Sequence, residues 1–335
     1  MEKGKDDMSK LYAKIAGVGK YLPEKVLDNA YFESIVDTSD EWITKRVGVK
    51  ERRMSDENTF TSDLAAKAAE NALRDADMTA EDIDLIIVAS VSPEMYTPSC
   101  ACRVQSLIGA KKAAAFDLNA ACSGFIFAAA TASQFIGSGM YKNILVIGAD
   151  TLTKITEYKD RSTCVLFGDG AGAAVFTATE EKTGILGSIL GADGDSGNLL
   201  TICGLKVSDE DKERRPYGNY STIWMDGQGV FKFAVKTMES ATVEVVEKAG
   251  CSMDDVKLVI PHQANYRIIE GARKRLKLDT DRVFFNVEKY GNMSAACVPV
   301  ALCEAIEEGR VHKGDKLVIV GFGGGLTWGS ALIEL

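Results

Sequence analysis

Five short apolar runs rich in valine and isoleucine, at residues 13–18, 85–90, 144–148, 256–260 and 317–321, show no polar alternation. Runs of this kind predict strands covered on both faces, as in sheets packed between helices. Between them the period changes. Residues 61–76 are alanine-rich with Leu64, Ala68 and Ala72 at helical spacing, and 230–249 repeats its apolar positions similarly, with Met253 and Asp254 in a following loop. Strand and helix therefore alternate, which predicts α/β layering. The uncharged stretch 118–141 is long enough to span a bilayer, but Asn119, Ser123, Thr131, Ser133, Gln134 and several glycines interrupt it. It reads as a buried core helix, with no membrane insertion.

The two ends of the chain echo each other. Residues 142–150, the glycine-rich 168–172 and a strand at 173–179 are matched by 316–321, glycines 323–325 and a strand at 329–335. Likewise 84–90 parallels 257–262, each followed by a helical segment. This self-similarity predicts two duplicated halves, 11–180 and 181–335, with residues 1–10 as an extension. A site between the halves is expected, because α/β sheets gather chemistry at strand ends. The mixed-charge stretch 208–217 reads as a surface loop between the halves.

Composition narrows the function. With 335 residues, 46% hydrophobic and 26% charged, the chain can build a large core, which excludes disorder as its main state. A net charge of -9 argues against a nucleic-acid partner unless a basic patch is local. Eight cysteines are scattered without C-x-x-C pairs, so neither a zinc site nor a redox pair is expected, and no acidic or histidine cluster has metal-ligand spacing. The opening MEKGKDDMSK has no apolar signal segment, and unpaired thiols suit a reducing cytoplasm.

Chemistry concentrates in four places. Cys122, in a segment running from Asp117 to Phe127, falls where a strand ends and the uncharged helix begins, a position where helix dipole and free amides lower a thiol pKa and stabilise an oxyanion. Only two histidines exist. His312 lies in a polar turn and is expected to face solvent, whereas His262 follows the strand 256–260 in PHQAN. Asn292, in YGNMSAA, precedes an apolar helix and by itself reads as its cap. The run GFGGGLTWGS from Gly321 allows close backbone approach.

Taken together and in this order, NAACSGF, PHQAN, YGNMSA and GFGGGLTWGS resemble the β-ketoacyl-[acyl carrier protein] synthase III family of the thiolase-fold superfamily. The resemblance runs from about Leu11 to Leu335 and includes KIAGVGKYLPEKVLDN and the segment from Thr38 to Arg52. It implies a five-layered α/β/α/β/α fold and a homodimer. It implies that Cys122 accepts the acyl group, that His262 and Asn292 bind the malonyl thioester carbonyl, and that amides of Cys122 and Gly324 form an oxyanion hole. Trp42, Arg46 and Arg161, with Thr38 and Gly227 as softer matches, are implied to hold coenzyme A. The implied reaction joins an acyl-CoA primer to malonyl-acyl carrier protein with loss of carbon dioxide, initiating fatty acid synthesis by a ping-pong route. Acyl-CoA is then a substrate, and no cofactor is implied.

Two positions bear on partners and specificity. Residues 264–278 hold five bases (Arg267, Arg273, Lys274, Arg275, Lys277) and one acid, Glu270, so this stretch carries +4. By the same resemblance Arg267, Lys274, Arg275 and Lys232 are docking candidates for an acidic carrier protein. Thr97 matches a position that reaches into the partner subunit's acyl pocket and is aromatic in members favouring acetyl primers. A threonine leaves room for branched or longer primers. The motifs contain no carboxylate that would repel malonate, and Glu288 is the nearest acid to Asn292 in sequence.

Alternatives differ at visible residues. Papain-like proteases share the order Cys, His, Asn but place the cysteine near the mature N-terminus. Condensing enzymes with a Cys-His-His set need a second histidine in context, and thiolases need a second cysteine beyond Gly321, where this chain has none. A related acyltransferase that delivers the acyl group to a hydroxyl or amine is the closest rival. Retention of His262 with Asn292 argues for condensation, and the complete set argues against a non-catalytic scaffold.

Overall fold

A computed structural model describes residues 10–335. The first sheet comprises β1 (Tyr12–Tyr21), β2 (Leu85–Ala89), β3 (Ala114–Leu118), β4 (Asn143–Thr151) and β5 (Asp169–Thr179), in the order β1-β5-β4-β2-β3. Strand β2 is parallel to both β3 and β4, while β5 runs against β1 and β4. The second sheet comprises β6 (Gly184–Ala192), β7 (Val256–Pro261), β8 (Lys316–Gly323) and β9 (Thr327–Glu334), in the order β7-β8-β9-β6. Here β7 and β8 are parallel and β9 is antiparallel to both its neighbours. Superposing the orders pairs β1 with β6, β5 with β9, β4 with β8 and β2 with β7. Only β3 lacks a counterpart, and a single parallel bridge from Val283 to Val259 stands in its place.

Six helices fill the layers: α1 (Thr61–Asp75), α2 (Cys100–Leu107), α3 (Gly124–Gly137), α4 (Gly227–Lys248), α5 (Tyr266–Arg275) and α6 (Cys297–Glu307). Helices α3 and α6 lie between the sheets. Phe125, Ile126, Val298 and Leu302 pack there against Ile87 and Val146 of one sheet and Ile260 and Ile319 of the other. The opposite strand faces, Ile86 and Ile147 or Val259 and Val318, are covered by α1 with α2 and by α4 with α5. Successive strand residues thus meet different helical layers, and both must be apolar, which explains the unbroken runs. Each fully buried Phe125 or Ile126 side chain contributes about 1.5–3 kcal/mol. Because α3 has sheets on both sides it carries no charge. Among the described residues no helix is long and apolar enough to cross a membrane.

One expectation needs qualifying and another needs correction. Helices cover both faces of β1, α1 against Gly17 and Gly19 and α3 with α6 against Ala13 and Val18, but as an edge strand it leaves Lys14 exposed and Ile15 half-buried. The stretch 208–217 is neither a loop nor between the halves. It lies within the second half, and Asp209–Arg214 form a short helix capped by Ser208, whose hydroxyl accepts from the Asp211 amide at 3.1 Å. Local pairing of Glu210 with Arg214 and Asp211 with Arg215 gives this charged stretch its helical turn.

Candidate active site

The cysteine turn and the asparagine turn are built alike. After β3 the chain makes a 3₁₀ turn, Ala121–Ser123, and enters α3; after Asn292 it makes a 3₁₀ turn, Ser294–Ala296, and enters α6. Each turn opens on a non-glycine residue with positive φ, Ala121 at 48° and Ser294 at 48°. Such backbone costs about 1–3 kcal/mol per residue and persists only where its surroundings over-determine it.

The surroundings do so. The Thr327 hydroxyl donates to the Ala120 carbonyl at 2.8 Å and lies 2.8 Å from the Ser123 hydroxyl, tying the start of β9 to the cysteine turn. Gly323 is glycine because a Cβ there would stand 2.5 Å from the Cys122 amide nitrogen. On the other side, the buried carboxylate of Asp150 at the end of β4 accepts from the Ser90 and Ser92 hydroxyls at 2.9 and 2.7 Å and from the Ala295 amide at 3.1 Å. A Cβ on Gly148 would lie 2.1 Å from the Ala295 carbonyl oxygen, so β4 and the asparagine turn touch backbone to backbone.

The histidine is held by its neighbour. The Gln263 side chain donates to the Pro261 and Phe284 carbonyls at 2.8 and 3.1 Å and accepts from the Asn286 amide at 2.9 Å. Buried Glu304 of α6 accepts from Asn286 at 2.9 Å and from the Tyr290 hydroxyl at 2.6 Å. The segment from His262 to Asn292 is thereby one rigid frame.

Cys122, His262 and Asn292 all face one cavity of about 1440 Å³, with Gly324 on its wall. Burial pushes the Cys122 thiol up to about 12, against the lowering expected from the helix start; the Ser294 hydroxyl beside it opposes the rise. The thiol is desolvated because α3 begins inside the molecule, between two sheets. Burial drives His262 down to about 3, so the ring is neutral, and both ring nitrogens are without protein partners. Its ring meets Phe322 edge-on, centroids 5.4 Å apart. Asn292 Oδ1 accepts from the Ser294 amide at 2.8 Å, with the Cys297 thiol at 3.8 Å, which leaves Nδ2 as the free donor. The residue thus holds the 3₁₀ turn and offers a cavity donor, but it does not cap α6, whose N-cap position is Ala296.

Other expected residues divide. Trp42, Arg46, Gly227, Lys232 and Arg267 line the same cavity. Arg161 does not line it but stacks its guanidinium over Trp42, 5.3 Å from the ring centroid. Thr38 lies off the wall with its hydroxyl buried and unpartnered. Thr97 is exposed and outside the cavity of its own chain, whereas Tyr96 lines it. Lys274 and Arg275 sit farther along α5. Lys274 shares Glu270 with Arg273, and Arg275 pairs with Glu239 of α4. Pairing with Glu239 brings the stretch below the +4 counted along it, and of its bases Arg267 lines the cavity, as does Lys232 of α4. Glu288 is exposed, 3.4 Å from Lys50, and away from the cavity. Two carboxylates from outside the motifs line the cavity, Asp117 and Asp226. Their charge is occupied: Asp117 accepts from the Cys100 and Ala101 amides at 2.8 and 2.7 Å, and Asp226 caps α4.

A thiol beside the first sheet, with a neutral imidazole and an amide donor beside the second, all on one cavity, fit a thiolase-like condensing enzyme. The profile of 3-oxoacyl-[acyl-carrier-protein] synthase III matches residues 116–194, and that of its C-terminal part matches 246–335. β-Ketoacyl-[acyl-carrier-protein] synthase III of Caldanaerobacter subterraneus subsp. tengcongensis is 56% identical over 97% of this chain and 98% of its own length. The enzyme of the same name from Clostridioides difficile is 52% identical over 96% and 98%. The crystal structure of 3-oxoacyl-[acyl-carrier-protein] synthase III from Aquifex aeolicus VF5 superposes with a TM-score of 0.90, at 49% identity, covering 96% of this chain and 100% of that one. This chain belongs to the β-ketoacyl-[acyl carrier protein] synthase III family.

Proposed function

We propose that the chain condenses an acyl-CoA primer with malonyl-acyl carrier protein through an acyl-Cys122 intermediate. The observation that carries this reading is that neutral His262 and the free Nδ2 of Asn292 face the same cavity as Cys122. In the first half-reaction the Cys122 sulfur attacks the primer carbonyl, the C–S bond to coenzyme A breaks, and the thiol proton leaves with coenzyme A. The Cys122 and Gly324 amides receive the oxyanion. In the second, the malonyl C–C bond to carboxylate breaks and carbon dioxide departs. The enolate, its oxygen held by His262 and Asn292, attacks the acyl group, and the Cys122 sulfur leaves and takes up one proton. A neutral donor pair suits a developing enolate without trapping the departing carboxylate as a cation would.

Trp42 with Arg161 over its face, Arg46, Gly227 and the nearby Thr38 loop form the coenzyme A end of the entrance. Arg267 and Lys232, with Lys274 and Arg275 behind them, form the surface for the acidic carrier. The open edge of β3 and the exposed Tyr96 and Thr97 support a homodimer in which Thr97 shapes the partner subunit's primer pocket. Eight free cysteines fit a cytoplasmic setting.

The test incubates the protein with acetyl-, isobutyryl- and hexanoyl-CoA, with and without malonyl-acyl carrier protein, following Cys122 and the carrier by intact mass. Acylation on Cys122 followed by a 3-ketoacyl carrier is expected, with the larger primers at least matching acetyl. Acylation without a ketoacyl product transfers the assignment to an acyltransferase with another acceptor. An acetyl rate about tenfold above the others, roughly 1.4 kcal/mol, overturns the role of Thr97.

A further inference from the structure

One wall of the cavity belongs to neither main sheet. Leu200–Thr201 pair antiparallel with Trp224–Met225, and the cavity is lined by residues 200–203 and 223–225 of this ribbon. A lone two-stranded ribbon is marginal without support. Its support is the charged helix at 209–214. Arg215, 5% exposed, donates from Nε to the Thr222 carbonyl at 3.2 Å and from one terminal nitrogen to the Thr201 carbonyl and hydroxyl at 2.9 and 2.8 Å. One guanidinium thus ties Thr201 of the first strand to Thr222, two residues ahead of the second. Asp211 balances its charge at 3.2 Å and is itself fixed by Ser208. Arg214 lies over the Trp224 ring, 4.4 Å from the centroid, on the same ribbon. The ribbon also abuts the glycine motif, since a Cβ on Gly324 would stand 3.2 Å from the Leu200 carbonyl oxygen.

We infer that Arg215 is a positioning residue that sets the shape of the primer cavity, and that the 208–217 segment is the buttress through which primer length is selected. The inference rests on the proposed function, in which the acyl chain enters this cavity. A short acyl group stays near Cys122, whereas a longer one reaches the ribbon, so the wall's shape acts on chain length and not on the chemical step. A planar fork is required, because lysine offers one point charge and cannot hold both segments at fixed separation.

The test measures Cys122 acylation by acetyl-CoA and hexanoyl-CoA in the full-length wild type, Arg215→Gln, Arg215→Lys and Thr201→Val. Thr201→Val deletes a single hydroxyl contact and guards against a variant that fails to fold. In Arg215→Gln the hexanoyl-to-acetyl ratio of kcat/KM is expected to fall at least about fivefold, mostly through KM for hexanoyl-CoA. Thr201→Val shifts the ratio the same way by less, and Arg215→Lys does not restore it. A ratio that stays within about twofold or rises, or a common slowing of both primers, overturns the inference. If the wild type is acylated by no primer, the proposed function itself falls; if it is acylated and the ratio does not move, only the role of Arg215 falls.

Discussion

Replacing Asn292 by aspartate changes one atom and separates two tasks of the side chain. Oδ1 accepts from the Ser294 amide at 2.8 Å, and aspartate keeps that bond, so the turn into α6 survives. Nδ2, the free donor, becomes a carboxylate oxygen. Losing one preorganised donor to a developing oxyanion costs about 10²–10³ in rate, or about 2.7–4 kcal/mol. The new charge also repels the enolate, by about 4 kcal/mol for unit charges ~4 Å apart at an effective dielectric of ~20. Condensation should therefore drop by about 10³ or more in Asn292→Asp, while acylation of Cys122, which does not use this donor, stays within about tenfold. Asn292→Ala loses the donor without adding charge, so its condensation falls by about 10²–10³, but it also loses the bond to the Ser294 amide and about 1 kcal/mol of stability. Single-turnover reactions of pre-acylated protein with malonyl carrier, read by intact mass, separate the half-reactions, and thermal melts compare the variants. The reasoning fails if Asn292→Asp condenses within about tenfold of wild type, or if acylation and condensation fall in parallel.

Four further outcomes follow from the geometry. The rate of Cys122 alkylation by iodoacetamide should rise about tenfold per pH unit from about pH 7 to pH 10, because the folded thiol titrates near 12 against an ordinary value of 9.0. A plateau below about pH 9 contradicts that. By the same shift, stability linked to this thiol is complete below about pH 9 and declines as pH rises toward 12, which melts across that window would report. Gly148→Ala forces a methyl against the Ala295 backbone and should cost about 1–3 kcal/mol, lowering condensation more than acylation; an unchanged Tm and unchanged condensation would count against the packing argument. Arg267→Ala should raise KM for the carrier substrate about three- to tenfold and reduce its salt dependence, whereas Arg275→Ala, whose charge is already met by Glu239, should change it less. Equal effects from the two would refute the reading of the patch.

Much of the fold was legible because burial on two faces leaves a mark on sequence. Strands β2, β4 and β8 declare themselves as continuous apolar runs, and α3 as a helix without charge. The echo between the halves also reappears in the strand orders. The missing counterpart of β3 was not legible, since no local pattern says that a sheet stops one strand short. Cys122, His262, Asn292 and Gly324 were nameable from their motifs, but the groups that hold them come from distant elements. Asp150 showed only as an acid ending an apolar run, and its partners at Ser90, Ser92 and Ala295 are separated from it by 58 residues or more. Glu239 likewise meets Arg275 across 36 residues, so counting charge along a single helix overstated the patch. The thiol was expected to acidify because helix position is readable in sequence, whereas the depth at which that helix starts is a property of the packed layers.

The seam between the halves also has a temporal meaning. Cys122 rides on the first half, and His262 and Asn292 ride on the second, about 140 residues or more along the chain. Contacts of such span are slow to form, and the sheets bear the same cost, since β1 pairs with β5 across up to 167 residues and β6 with β9 across up to 150. In the proposed reaction neither half alone holds all the reacting groups. Recovery of condensation during refolding would thus act as a clock for the closing of the whole chain around α3 and α6, not of either half.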